Sequence, residues 1–202
     1  MIVKIFTKPL NYSIDKIYKK DLNEYLIGVE DGAFYAHSQN LELDLVIGDF
    51  DSIDKAKLEI VEKHAKKVKQ FPIKKDYTDT YLAIKEALKL DVSSIIIYGG
   101  IGERFDHSYA NILLLKLGPV TIQTDREKIY LLDPGHYEIE NAFENISFFA
   151  LEAVRNLSLY EFSYPLDKYD LDIDDPLCIS NKGSGSIRFT KGLLLVIESS
   201  EN

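Results

Sequence analysis

The sequence predicts an α/β fold with a mostly parallel sheet, followed by a smaller, sandwich-like all-β unit. Three observations carry this. Up to about residue 123, short β-rich runs alternate with helical stretches, the pattern of a parallel sheet covered by helices. The run Ile95-Ile96-Ile97 is apolar on both faces, as a central parallel strand is. After about residue 125 helical periodicity fades, and short runs separated by turn signals follow.

Taken in order, the first part gives strands at 2–6, 25–29, 43–47, 68–71, 94–98 and 119–123. Residues 54–67 place Ala56, Ile60, Val61, His64 and Ala65 near 3.6 spacing, with Lys and Glu elsewhere, so a helix is expected there. Similar patterns predict helices over 79–90 and 106–117. The second part offers Ile129-Leu132, Tyr137-Ile139, Ile146-Leu151, Leu157-Tyr160, Leu177-Ile179, Ser186-Phe189 and Leu193-Ile197 as strands. Asp133-Pro134-Gly135 and Lys182-Gly183-Ser184-Gly185 are turns between them. The Asp-rich stretch 164–176, with its two prolines, reads as an exposed connection. The expected domains are therefore 1–125 and 126–202.

Composition narrows the function. A net charge of −9 argues against a general nucleic-acid or anionic-membrane binder, and a phosphate-rich ligand then needs a metal or a few placed Lys and Arg. The single cysteine, Cys178, excludes an internal disulfide and suits a reducing, cytoplasmic setting. It sits in an apolar run and reads as core. No run approaches the roughly 20 apolar residues of a membrane span. The opening Met1-Ile2-Val3-Lys4-Ile5-Phe6 reads as a strand that stops at Thr7-Lys8-Pro9, too short for a signal peptide.

Three polar loops follow strands, and in open α/β sheets ligands bind outside the carboxyl ends of the strands. Gly48-Asp49-Phe50-Asp51-Ser52 follows Leu45-Val46-Ile47. An Asp-x-Asp pair fits Mg²⁺, which takes one or two carboxylates plus waters and phosphate oxygens. An Asp N-cap for a helix beginning near Ile53 accounts for the same residues equally well. Lys74-Lys75-Asp76-Tyr77-Thr78-Asp79 precedes a helix. Capping by Thr78 or Asp76, with Asp79 complementing the dipole, is a sufficient structural account; its place on the same sheet edge raises the functional one. Gly99-Gly100 through Arg104-Phe105-Asp106-His107 combines glycines that admit a close ligand, a planar guanidinium fork and a helix N-terminus that favours an anion. It matches neither the Walker A pattern nor the dinucleotide fingerprint. In the second part, Ser180-Asn181 either belongs to a hairpin turn or binds a polar heterocycle.

Together, in this order and spacing, Leu45 to Ile53, Lys75-Asp76-Tyr77-Thr78-Asp79, Gly99-Gly100 through Asp106-His107 with Ala110-Asn111, and Ile179-Ser180-Asn181 resemble the thiamine pyrophosphokinase family. The resemblance runs from about residue 25 to the C-terminus. It implies an ATP- and Mg²⁺-binding catalytic α/β domain, a thiamine-binding β-sandwich domain, and a homodimer with thiamine at the subunit interface. It implies pyrophosphoryl transfer from ATP to the thiamine hydroxyl, with AMP as the other product. Asp49, Asp51, Asp76 and Asp79 then hold Mg²⁺, directly or through water. Lys75 and Arg104 meet phosphate, Asp106 positions thiamine or takes its hydroxyl proton, and Asn111, Ser180 and Asn181 contact substrate. Where the family often has Asp-Gly-Gly-Ala, this chain has Glu30-Asp31-Gly32-Ala33. Family members often carry a tryptophan that stacks on thiamine; this chain has none, so one of its 13 Tyr or 10 Phe takes that place. Two other readings stand beside this one: an aspartyl-phosphate phosphatase using Asp-Phe-Asp-Ser, and a non-catalytic nucleotide or thiamine sensor.

Overall fold

A computed structural model of the chain describes residues 1–201 apart from Ser52, Ile73, Lys75 and Glu103. Contacts divide it into two compact units, Met1–Asp125 and Arg126–Asn202. The first holds strands β1 (Ile2–Phe6), β2 (Glu24–Val29), β3 (Leu45–Gly48), β4 (Val68–Gln70), β5 (Ser94–Tyr98) and β6 (Val120–Gln123). They lie in the order β4-β3-β2-β1-β5-β6, every pair parallel. Helices α1 (Asp31–Ser38), α2 (Lys55–His64), α3 (Asp79–Ala87) and α4 (Phe105–Leu114) connect them.

Alternation along each strand serves two covered faces. Phe6, Leu26, Val46 and Tyr98 pack with Ala33 and Ala36 of α1 and Val61 of α2. Their neighbours Ile5, Ile27, Ile47 and Ile97 are equally buried, and α3 packs across β1, β2 and β3. The helices are shorter than their periodicity suggests. α2 ends at His64 because Ala65 turns extended and Lys66 N–H donates to the Leu43 carbonyl. The aspartate that caps α2 is Asp54, whose carboxylate accepts from Ala56 N–H at 2.9 Å, so the capping role proposed for Asp49 or Asp51 belongs elsewhere.

One charge is embedded in this unit. Lys4 is 1% exposed, with its ammonium 2.7 Å from both Glu24 and Asp21 and a further bond to the Lys19 carbonyl. Tyr18 donates to the other Glu24 oxygen at 2.7 Å and offers its ring face to Lys4. Burial alone would raise the Glu24 carboxyl, but hydrogen bonds from Lys4, Asp21 N–H and Tyr18 outweigh it and hold the group below the ordinary carboxylate range.

The second unit is antiparallel throughout. Its strands are β7 (Glu127–Leu132), β8 (Gly135–Ile139), β9 (Asn145–Tyr160), β10 (Leu166–Leu171), β11 (Gly185–Phe189) and β12 (Lys191–Ser199). The first part of β9 pairs with β12, which pairs with β7; the second part pairs with β10 and β11, and β11 with β8. A register shift and the left-handed Asn156 bend β9, so one strand serves two layers around Phe148, Leu157, Phe189 and Val196. Ile146-Leu151 and Leu157-Tyr160, expected as separate strands, are thus halves of β9. Nor is 164–176 a simple connection. Leu166, Tyr169 and Leu171 face the core from β10, and the acidic residues between them disguise the strand. Leu177-Ile179 is a turn, not a strand, joined to β9 by Phe148 N–H to the Cys178 carbonyl and by the Ile146–Asn181 bridge. Cys178 is core; burial, then the charge of Asp175, pushes its thiol up to about 11. Among the described residues no helix is long and apolar enough to cross a membrane.

Replacing Lys4 by Met keeps the volume but strands Glu24 beside Asp21. Unfolding in urea, followed by circular dichroism at pH 7, should show a loss of about 3 kcal/mol, the usual cost of breaking a buried pair from one side. The Glu24 carboxyl is depressed in the fold, so its contribution is complete above the unfolded-state pKa and lost as pH falls through the folded-state value. The wild type should therefore lose stability more steeply on acidification than Lys4→Met. Equal stability of the two proteins at pH 7 would contradict this account.

Candidate active site

Strands β2, β3 and β4 extend from one side of β1, and β5 and β6 from the other. Order reverses between β1 and β5, and in open α/β sheets that reversal opens a crevice at the carboxyl ends. A cavity of about 620 Å³ lies there. Thr7 and Lys8 from the loop after β1, Glu30 after β2, Asp79 at the start of α3, and Arg104 and Asn111 around α4 all contribute to its lining. The volume is in the usual range for a small-molecule site.

Backbone contacts fix this cleft. Gly99 has φ +89°, and a Cβ there would fall 2.0 Å from the Thr7 carbonyl, so the β5–α4 turn rests directly on the β1 loop. Thr7 N–H donates to the Tyr98 carbonyl and Gly100 N–H to that of Lys8. Asn111 is buried and donates its amide to the Gly100 carbonyl at 2.8 Å. Ser108 Oγ accepts from Gly102 N–H at 3.0 Å and lies 3.1 Å from the Arg104 carbonyl, holding the turn from inside the helix.

The acidic loops leave the same sheet edge. Thr78 caps α3, its hydroxyl accepting from Tyr81 N–H, and Asp79 occupies the first turn and lines the cleft. Asp76 is exposed in the preceding bend, and Lys75 lies outside the described residues. Asp49 is half-buried and Asp51 exposed just past β3. Glu30 ties this loop to the cleft, accepting at one carboxylate oxygen from Asp49 N–H at 2.8 Å and Phe50 N–H at 3.2 Å. Among the described residues, its other oxygen, Oε2, is buried without a hydrogen-bond partner. Burial first, then the charges of Asp79 and Asp49, push the Glu30 carboxyl up, although the two N–H groups pull it back.

Among the described residues, no three His, Cys, Asp or Glu side chains form a group able to hold a metal ion on their own. Asp49, Asp51, Asp76 and Asp79 are thus not a closed protein cage. The donor set suits a hard cation held jointly with phosphate: only carboxylates, with an unpartnered buried oxygen and repulsion that a cation would relieve.

Both cations of the cleft are already paired. Arg104 donates to Asp106 at 2.7 Å, and this contact holds the Asp106 carboxyl below the usual range, which weakens it as a proton acceptor. Lys8 pairs with Asp31. In the second unit, Ser180 is exposed at φ +58°, its N–H donating to Ser147 Oγ. Asn181, expected as a substrate contact, lines a small cavity of the second unit. It is 3% exposed; its side-chain Oδ1 accepts from Tyr164 and Lys182 N–H, and its Nδ2 donates to the Tyr164 carbonyl. Thr7, Lys8, Glu30 and Ser108 were not marked as site residues by the sequence. The signal available for the first two was the central place of β1, whose loop must border the reversal of strand order.

A family profile described as the thiamin pyrophosphokinase catalytic domain matches residues 18–130, and one described as the thiamin pyrophosphokinase vitamin B1 binding domain matches residues 136–194. A thiamine pyrophosphokinase of Bacillus subtilis (strain 168) is 33% identical over 205 residues, 96% of this chain and 95% of that protein. The crystal structure of thiamine pyrophosphokinase from Bacillus subtilis superposes with a TM-score of 0.89 at 31% identity, covering 100% of this chain and 99% of the other. That of thiamin pyrophosphokinase from Geobacillus thermodenitrificans gives 0.87 at 25% identity, with coverage of 100% and 99%. With both halves matched and a relative aligned almost end to end, this chain belongs to the thiamine pyrophosphokinase family, transferases that make thiamine diphosphate.

Proposed function

We propose that the chain transfers the pyrophosphoryl group of ATP to the hydroxyl of thiamine, yielding thiamine diphosphate and AMP. The observation that carries this reading is one cleft at the strand-order reversal in which Glu30 and Asp79, beside the Asp49–Asp51 loop, meet Lys8, Arg104 and the N-terminus of α4. The hydroxyl oxygen attacks the β-phosphorus, the bond from that phosphorus to the α–β bridging oxygen breaks, and AMP leaves with that oxygen. The hydroxyl proton passes to a carboxylate or to water. Such transfer depends on positioning and charge neutralisation. Mg²⁺, held by Asp49, Asp51, Asp76 and Asp79 directly or through water, supplies neutralisation of the phosphate oxygens when bound.

Arg104 exchanges Asp106 for phosphate, and Lys8 exchanges Asp31 in the same way. Lys75 adds a further cation. Asp106, released from Arg104, orients the cationic thiamine. Asn111 shapes the floor through Gly100, which the nucleotide approaches. Two aromatic pairs stand at the helix starts, the exposed Tyr77 on half-buried Tyr81 with ring centroids 4.6 Å apart and exposed Phe105–Tyr109 at 6.3 Å, and they offer the stacking face that tryptophan would give. A phosphatase using Asp49 as nucleophile leaves Arg104 and the α3 loop without a task, and a sensor needs no such acidic set.

The second unit supports a shared thiamine site. Tyr164, Leu177 and Ile179 are exposed large apolar side chains around a 270 Å³ cavity, with Ser180 beside them. An apolar, aromatic wall with a polar rim suits a flat heterocycle. The reading is a two-fold homodimer in the cytoplasm, each site combining the α/β unit of one chain with the β unit of its partner.

Three outcomes test this. With Mg²⁺, ATP and thiamine, chromatography should show AMP and thiamine diphosphate forming in equal amounts; ADP as the stoichiometric product would reject pyrophosphoryl transfer. Asp49→Asn and Asp79→Asn should each lower turnover about 100-fold or more while thermal unfolding barely moves, and near-normal rates at limiting Mg²⁺ would remove that residue from the site. Finally, Asp49→Asn and Ser180→Trp, each inactive alone, should regain part of the activity when mixed under subunit exchange, because one site of the heterodimer escapes both lesions. Demonstrated exchange without recovery would place the site within one chain.

A further inference from the structure

We propose that Glu30 is the positioning residue that sets the Asp49-Phe50-Asp51 loop in its ligand-holding shape, by accepting two backbone N–H groups at a place Gly48 leaves open. This rests on the reading above for what the loop does. The parallel register of β2 and β3 ends at Val29 opposite Ile47, and Glu30 N–H extends the ladder to the Ile47 carbonyl. Glu30 therefore stands level with Gly48. A Cβ on Gly48 would fall 1.9 Å from Glu30 Oε1, so the absent side chain is the space the carboxylate fills.

The loop is not at rest in this shape by itself. Phe50 has φ +60°, a region that costs an ordinary residue about 1–2 kcal/mol. Two restraints hold it. Its ring is buried in the core with Leu26, Ala33 and Val46. Its N–H and that of Asp49 converge on one Glu30 oxygen. Asp51 N–H then turns back onto Asp49 Oδ1 at 3.3 Å, so the two aspartates are set by the same turn. Glu30 itself has φ 52° and ψ −131°, a conformation its surroundings must enforce. That strain places its side chain toward β3 while its carbonyl accepts from Ala33 N–H to start α1.

The discriminating substitutions are Glu30→Ala, which removes the acceptor, and Glu30→Gln, which keeps an acceptor oxygen of the same reach but no charge. Site-resolved amide hydrogen exchange on the full chain without substrates should show Asp49 and Phe50 exchanging about tenfold faster or more in Glu30→Ala, as expected for losing charge-assisted bonds, and nearly unchanged in Glu30→Gln. Mn²⁺ affinity with ATP present, followed by electron paramagnetic resonance, should fall about tenfold in Glu30→Ala and only about threefold in Glu30→Gln, where the charge alone is lost. Gly48→Ala, with the carboxylate intact but displaced, should behave like Glu30→Ala, and it tests the proposal separately should Glu30→Ala fold poorly. Three results would overturn it: amides still protected in Glu30→Ala; Mn²⁺ affinity unchanged although protection is lost; or Glu30→Gln as weak for Mn²⁺ as Glu30→Ala with its amides protected, which would make Glu30 a direct ligand. The exchange measurement involves no reaction, so it stands or falls apart from the assigned activity.

Discussion

Parallel pairing of β1 with both β2 and β5 is the constraint on which the first unit depends. It sends the chain out of every strand at the same edge, so all connecting loops with polar cargo gather there. It also fixes where the cleft opens, because strands accumulate away from β1 in two directions. Register does the finer placement. Phe6 is level with Gly28 on one side and Tyr98 on the other, which brings Thr7 and Gly99 into backbone contact; Val29 level with Ile47 brings Glu30 to Gly48. A slip of one residue in either pair would turn every side chain to the opposite face. The buried Lys4 cluster guards β1 against this, since only one register puts the ammonium between Glu24 and Asp21.

An acidic protein of net charge −9 that handles a polyphosphate meets an electrostatic problem, and the cleft answers it locally. Arg104 is held by Asp106 in an exposed pair, and Lys8, itself exposed, by the half-buried Asp31. Solvent-screened pairs hold weakly, so exchanging a carboxylate partner for phosphate costs little. The carboxylates have the opposite arrangement. Glu30 is pressed by burial and by Asp79 and Asp49, a repulsion that a cation accompanying the nucleotide would remove. A cation would thus relieve a repulsion at Glu30, and phosphate would meet cations already held in place by weak pairs.

The α/β alternation, the central strand at 95–97 and the three polar loops were legible because they rest on strong periodicity and on turn chemistry at strand ends. The second unit was less so. β10 was hidden because Asp167, Lys168 and Asp170 split its inward residues Leu166, Tyr169 and Leu171 without strict alternation, and β9 read as two strands because its bend interrupts the alternation. Within the site, Asp79 and Arg104 carry their own signal through position in a loop before a helix. Glu30 carries none. Its importance depends on a residue 18 positions away having no side chain, a relation that only strand register reveals. Asn181 is the converse case: a polar residue in a turn reads as available, but its side chain bonds Tyr164 and Lys182 and its backbone bridges to Ile146, so it also holds the turn together.

Backbone strain separates these cases further. Asn40 and Asn156 also have positive φ, but asparagine tolerates that region, and the two belong to an ordinary helix end and a strand bend. Glu30, Phe50 and Ser180, at loops assigned to the site, and Glu161 and Lys168, elsewhere in the second unit, are not residues chosen for left-handed backbone. Such conformations persist only where surrounding contacts over-determine them. At Glu30 and Phe50 those contacts are mutual, since the carboxylate of one accepts the N–H of the other while the phenyl ring is locked in the core. Two unfavourable conformations supported by each other leave few ways for the loop to relax. A loop so constrained keeps Asp49 and Asp51 in place before any ligand arrives, and preorganisation of that kind lowers the barrier to a reaction governed by charge placement.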